Sequence, residues 1–171
     1  MKVKTKEILR KVYRSVVSNY YLKLFGNELK KCNSVLDLGC GFKSPIMNFP
    51  KTFYAVGVEI HKPYIKISKQ KKIHDKYYHL DVLDAGRKFG PKSFDCVIAL
   101  GVIEHLSKKE GFKLLEIMEK LARKSIIIFT PNDFLKSHKR HAQKGYDHKS
   151  GWKAEEFKKL GYTVYGVNGL K

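Results

Sequence analysis

The chain has 171 residues, with 35 lysines and arginines against 16 acidic residues and a net charge of +19. That length supports one domain with a sizeable core, and a hydrophobic content of 43% excludes a disordered chain. No apolar run approaches the ~20 residues of a membrane-spanning helix, and no apolar stretch follows the basic residues Met1 to Lys6 as a signal peptide requires, so a cytoplasmic protein is expected.

Residues 6–30 predict one amphipathic helix. Leu9, Val12, Tyr13, Val16, Val17, Tyr20, Tyr21 and Leu24 recur at i, i+3, i+4 spacing, and Gly26 with Asn27 predicts its end or a kink. We assign residues 1–33 to this element and 34–171 to the main domain. Ser34 to Leu38 reads as a first strand running into a glycine-rich turn, and Phe53 to Ile60 as a second. Pro63 to Lys72 reads as a helix with proline in its first turn. Strands follow at Tyr77–Leu80 and Phe94–Leu100, the latter apolar enough to be covered on both faces. Ser107 and Glu110 form a capping box for a helix to Arg123, with Phe112, Leu115, Met118 and Leu121 as its stripe. Ser125 to Phe129 is a fifth strand. Residues 131–150 are polar and basic and predict a mobile lid, which would close on substrate. A helix over Trp152–Leu160 and a last strand over Tyr162–Val167 complete the chain.

Alternating strands and helices predict a Rossmann-like, doubly wound α/β fold. Its mostly parallel sheet of six to seven strands would carry helices on both faces and bind ligands at the strands' carboxyl ends. Residues with chemistry lie at those ends. In Val35-Leu36-Asp37-Leu38-Gly39-Cys40-Gly41, the glycines let the backbone turn and approach a ligand. Glu59 closes the second strand about 20 residues after Gly39, where an acid meets ribose hydroxyls. Asp81 ends the third strand and could accept from an adenine amino group while the Val82 amide donates to a ring nitrogen. The fourth strand leads into Gly101-Val102-Ile103-Glu104-His105-Leu106.

In order and spacing these four segments, from about Ser34 to Asn132, resemble the class I methyltransferases that use S-adenosylmethionine (SAM), especially the type 11 group. The resemblance implies that Asp37, Gly39 and Gly41 line the methionine part of SAM. It puts Glu59 at the ribose, Asp81 and Val82 at the adenine and Leu100 near the sulfonium, with Cys40 and Ile60 also among the cofactor-binding residues. Thr130-Pro131-Asn132 and His148-Lys149-Ser150-Gly151-Trp152 also fit the group. The chain departs from it at Lys43, where a third glycine is common, and in a first helix interrupted by Pro45 and Pro50. A nicotinamide-dependent oxidoreductase would need glycine at Ser44.

Methyl transfer needs a base only when the acceptor carries a proton at neutral pH. His105, Glu104 and His148 are the candidates for catalytic roles. The cysteines Cys32, Cys40 and Cys96 are scattered, and His138, His141 and His148 lack thiolate neighbours, so no metal is expected. Basic residues concentrate in 1–33, 61–76 and 136–159. Such clusters attract phosphates, but their being mostly lysine rather than arginine favours a surface tuned for solubility. The expected acceptor is small or anionic, with RNA methylation and a non-catalytic SAM-binding partner subunit as alternatives. No Asn-Pro-Pro-Tyr follows the fourth strand, which argues against methylation of base amines in DNA.

Overall fold

The structure, a computed structural model, describes residues 20–134 and 147–166. Five parallel strands form its sheet: β1 (Ser34–Leu38), β2 (Tyr54–Glu59), β3 (Lys76–His79), β4 (Phe94–Leu100) and β5 (Ala122–Phe129), in the order β3-β2-β1-β4-β5. The order reverses between β1 and β4. Their carboxyl ends therefore open a crevice at the switch point, the place where such sheets bind ligands.

Side-chain alternation along the central strands divides the core in two. Leu36, Leu38, Val56, Val58, Val97 and Ala99 point to one face, where they meet Leu114, Met118 and Leu121 of helix α4 (Lys108–Leu121) together with Trp152. Val35, Ala55, Cys96 and Ile98 point to the other, against Phe25, Leu29 and Ile46. Phe25 and Leu29 belong to helix α1, which occupies residues 20–29 of the described chain. The residues before 20 that were expected to extend this helix lie outside the described part. Gly26 does not end the helix, which runs on through Leu29; a Cβ there would lie 2.6 Å from the Phe49 ring, so the glycine lets that ring pack against α1.

Helix α2 (Lys62–Gln70) begins with Pro63 in its first turn, and a short helix α3 (Ala85–Lys88) precedes β4. The capping box of α4 forms as expected. Ser107 Oγ accepts from the Glu110 amide, and Glu110 accepts from the Ser107 amide at 2.9 Å. Helix α5 (Ala154–Lys159) closes the described chain.

The strand count corrects the expectation of six to seven: five strands pair among the described residues. Residues 162–166 carry no regular structure. Tyr162 and Val164 gain burial against the α4 side of the core, and the Tyr162 hydroxyl donates to Glu119 on that helix. Packing on a helix thus replaces pairing beside β5, whose residues Ser125–Phe129 are only half-buried. No helix among the described residues is long and apolar enough to cross a membrane.

Candidate functional site

The turn after β1 is built around two glycines with positive φ, Gly39 at 71° and Gly41 at 57°. A Cβ on Gly39 would lie 2.5 Å from Val102 Cγ2, whereas nothing stands within 4 Å of one on Gly41. The first glycine is required by packing. The second borders open space into which a ligand can come close to the backbone. The amides of Gly39 and Cys40 both donate to the Val58 carbonyl, at 2.8 and 3.0 Å, which fixes the turn against the end of β2.

Asp37 is buried, and two groups meet the same carboxylate oxygen. Ser44 Oγ donates to Oδ2 at 2.5 Å, and His74 Nε2 donates to it at 2.9 Å, with the imidazole side chain fully buried. Oδ1 takes part in neither bond. His74 Nδ1 is buried with no hydrogen-bond partner among the described residues. The imidazole fits because residue 57 is glycine: a Cβ there would lie 2.8 Å from Cys40 Sγ and 3.1 Å from His74 Cγ. Tyr21 of α1 feels the same carboxylate. Burial first, and the Asp37 charge second, push its phenol up to about 12. Burial likewise raises the Cys40 thiol far above its ordinary value, with Asp37 and Glu59 adding to it. Cys40 is buried in the turn, with its Sγ against the Gly57 backbone.

Glu59 is also buried and already organised. Oε2 accepts from the Gly41 amide at 2.9 Å and Oε1 from the His61 amide at 2.8 Å. Each carboxylate oxygen retains a lone pair for a further donor such as a ribose hydroxyl. Ile60, next along, is 61% exposed, an apolar side chain at the rim. Asp81 spends one oxygen on the Leu83 amide at 2.8 Å, which caps the short turn Val82–Asp84 and holds the Val82 backbone at the end of β3. Leu100 is half-buried at the end of β4.

The acceptor-side candidates converge from distant parts of the sequence. Glu104 and His105 lie on a single turn, Ile103–His105, and Glu104 is buried. Thr130 Oγ1 donates to Glu104 Oε2 at 3.0 Å. Residues 147–150 are tied onto this turn. The Lys149 and Ser150 amides donate to the Glu104 carbonyl at 2.8 and 3.2 Å, and His105 Nδ1 lies 3.3 Å from the Asp147 carbonyl. His148 is thereby brought beside His105, with ring centroids 5.0 Å apart. One ligand atom from each of Glu104, His105 and His148 falls within 4.8 Å of the others, so the structure assembles a carboxylate and two imidazoles where the sequence suggested no metal set. Of the expected lid, residues 135–146 lie outside the described part; its two ends lie against the sheet's carboxyl edge.

A family model described as a methyltransferase domain, of type 11, matches residues 36–129. The chain belongs to this family. It is a class I methyltransferase domain, and the family's cofactor is SAM. An uncharacterised protein of Rickettsia prowazekii (strain Madrid E) is 33% identical over 118 residues, covering 63% of this chain and 46% of that protein. The chain thus spans about half the length of that relative. Among solved structures, a SAM-dependent methyltransferase from Archaeoglobus fulgidus superposes with a TM-score of 0.66 at 23% identity, covering 86% of this chain and 66% of that one. The magnesium protoporphyrin IX methyltransferase of Synechocystis PCC 6803 superposes with a TM-score of 0.55 at 22% identity, covering 88% and 65%. At these identities the two structures support the fold.

Ser44, His74, Thr130 and Tyr21 were not legible as site residues. Ser44 could have been found as the cap of the turn Pro45–Asn48, where its hydroxyl lies 3.5 Å from the Ile46 amide. Thr130 stood out only as part of Thr130-Pro131-Asn132, Tyr21 only as part of the first helix's apolar stripe, and His74 had no local signal.

Proposed function

We propose that this domain transfers the methyl group of SAM to a small or anionic acceptor held over the end of β4. The observation that carries this reading is the placement of two polar sets on the carboxyl edge of one sheet. Asp37, Gly41, Glu59 and Asp81 stand at the ends of β1, β2 and β3, and Glu104, His105 and His148 stand beyond β4.

The cofactor residues divide by what they offer. Asp37, with Oδ2 taken by Ser44 and His74, presents Oδ1 to the amino group of the methionine part. Open space at Gly41 admits the cofactor chain. Glu59 accepts from the ribose hydroxyls, and Asp81 with the Val82 amide reads the adenine edge. SAM supplies an activated methyl carbon, so the protein's work is alignment and exclusion of water. Leu100 and Tyr21 supply apolar surface near the reacting centre. Glu104, His105 and His148 line the place where a hydroxyl or amine acceptor is held.

An anionic acceptor is supported by charge. Lys62, Lys66, Lys69, Lys71, Lys72 and Lys76 are all exposed along α2 and into β3, beside the Gly41 turn. The same array favours RNA as a second reading, because Phe42, Tyr64 and His61 cluster within it, Phe42 tilted against Tyr64 and His61 edge-on to it, aromatic surface of a kind that bases use.

Incubating the protein with methyl-labelled SAM and fractionated cell extract tests the reading, with ribonuclease treatment separating the two acceptor classes. Calorimetry tests the cofactor residues. Glu59→Gln should weaken SAM at least ~10-fold, about 1.4 kcal/mol or more, while the melting temperature shows that the turn still folds. Unchanged affinity removes Glu59 from the site.

A further inference from the structure

We propose that Glu104, His105 and His148 form a binding site for one divalent cation of the manganese, cobalt or zinc type, and that this ion presents an oxygen of the methyl acceptor to the end of β4. The inference rests on the functional reading above and deepens it.

Three observations converge. First, the donor set is right in kind and spacing: one carboxylate oxygen and two imidazole nitrogens whose ligand atoms lie within 4.8 Å of one another. Ligands bonded to an ion at ~2.1 Å stand ~3–4 Å apart, so small side-chain rotations close the set. Two imidazoles and a carboxylate favour a borderline transition ion over magnesium or calcium, which prefer all-oxygen shells.

Second, Glu104 is a buried carboxylate whose hydrogen-bond donor among the described residues is the neutral hydroxyl of Thr130, at 3.0 Å. A buried anion is costly unless a cation or several donors compensate it. A divalent ion between Glu104 and the imidazoles supplies that compensation, and the Thr130 bond to Oε2 leaves Oε1 for the ion.

Third, outer contacts orient the ligands as metal sites require. The contact of His105 Nδ1 with the Asp147 carbonyl at 3.3 Å holds that ring beside Glu104 and His148. The Lys149 and Ser150 amides fix His148 by binding the Glu104 carbonyl, and the Trp152 indole N–H donates to Ser150 Oγ at 3.0 Å, which in turn lies 3.4 Å from the Ile103 carbonyl. The segment bearing one ligand is thus bonded to the turn bearing the other two. Three protein ligands leave coordination positions for water or for acceptor oxygens.

The test uses the full chain after chelator treatment, titrated with Mn2+ and followed by loss of the free-ion resonance signal, and with Co2+ followed by its visible bands. One ion should bind per chain. His148→Ala, which alters a half-buried residue, should weaken binding at least ~10-fold, as should Glu104→Gln. Calorimetric SAM binding and the melting temperature serve as folding controls. Where Glu104→Gln fails to fold, His148→Ala alone decides. Absence of a 1:1 site, or equal affinity in the folded His148→Ala variant, overturns the proposal, and methyl transfer persisting in chelator would then leave the methyltransferase reading standing. Ion binding that is lost in His148→Ala, in a protein that methylates nothing in any extract, upholds the site and overturns that reading instead.

Discussion

Gly111 is the sharpest test of how the site is held. It lies inside α4, where alanine is normally favoured over glycine by ~0.5–1 kcal/mol. Here a Cβ would lie 2.3 Å from Trp152 Cζ2 and 3.2 Å from both Trp152 Cε2 and Ile103 Cγ1. Trp152 is 1% exposed, packs on Phe157 with ring centroids 5.3 Å apart, and carries the Lys108 ammonium 3.6 Å from its ring centre. It has no free direction in which to move. Overpacking a core of this kind costs ~1–3 kcal/mol, and losing the indole bond to Ser150 adds ~1 kcal/mol. Gly111→Ala should therefore destabilise the domain by a net ~1–3 kcal/mol. At ~2–4 °C per kcal/mol for a chain of this size, the melting temperature should fall by ~2–12 °C. Because Trp152 anchors Ser150, the same change should weaken Mn2+ binding and leave SAM affinity nearly unaltered. Trimming the tryptophan in the double variant Gly111→Ala/Trp152→Leu should recover part of the loss, a non-additivity expected of residues in contact. A Gly111→Ala protein that melts at or above the parent temperature would refute the packing argument.

Two further changes test other parts of the structure. His74→Ala removes the Nε2 bond to buried Asp37 and should weaken SAM roughly tenfold by calorimetry, with His74→Gln restoring much of it; an unaltered affinity in a folded His74→Ala protein would show that the imidazole only fills space. Asp95, which accepts from the Asn33 amide at 2.9 Å and Lys124 at 3.2 Å, is held below the usual carboxylate range, by the backbone bond first. Its folded value being depressed, its contribution is complete above the ordinary carboxylate pKa and is lost as pH falls through the lower folded one. The stability gap between parent and Asp95→Asn should accordingly be full near neutral pH and narrow on acidification, as read by denaturant melts at stepped pH. A gap that widens in acid would contradict the assignment.

What was legible in the chain was local. Strands β1, β2 and β4 announce themselves as apolar runs, the β1 turn as glycines after an acid, and α4 by its capping box, because each depends on neighbours a few residues away. That the acids Asp37, Glu59 and Asp81 stand at strand ends follows from where those runs stop. The predicted last strand shows the limit of such reading. The apolar residues Tyr162 and Val164 carry strand propensity, but their partner was decided by the α4 surface and the Glu119 carboxylate, which no pattern within 162–167 encodes. The same holds for the site. His74 reaches Asp37 across 37 residues, Thr130 reaches Glu104 across 26, and Gly111 is glycine on account of Trp152. Glu104 and His105 were found from the sequence as a pair, but their meeting with His148 depends on backbone amides of Lys149 and Ser150 closing on the Glu104 carbonyl. Those bonds are made by groups every residue carries, so no side-chain pattern records them, and only the folded chain brings the three together.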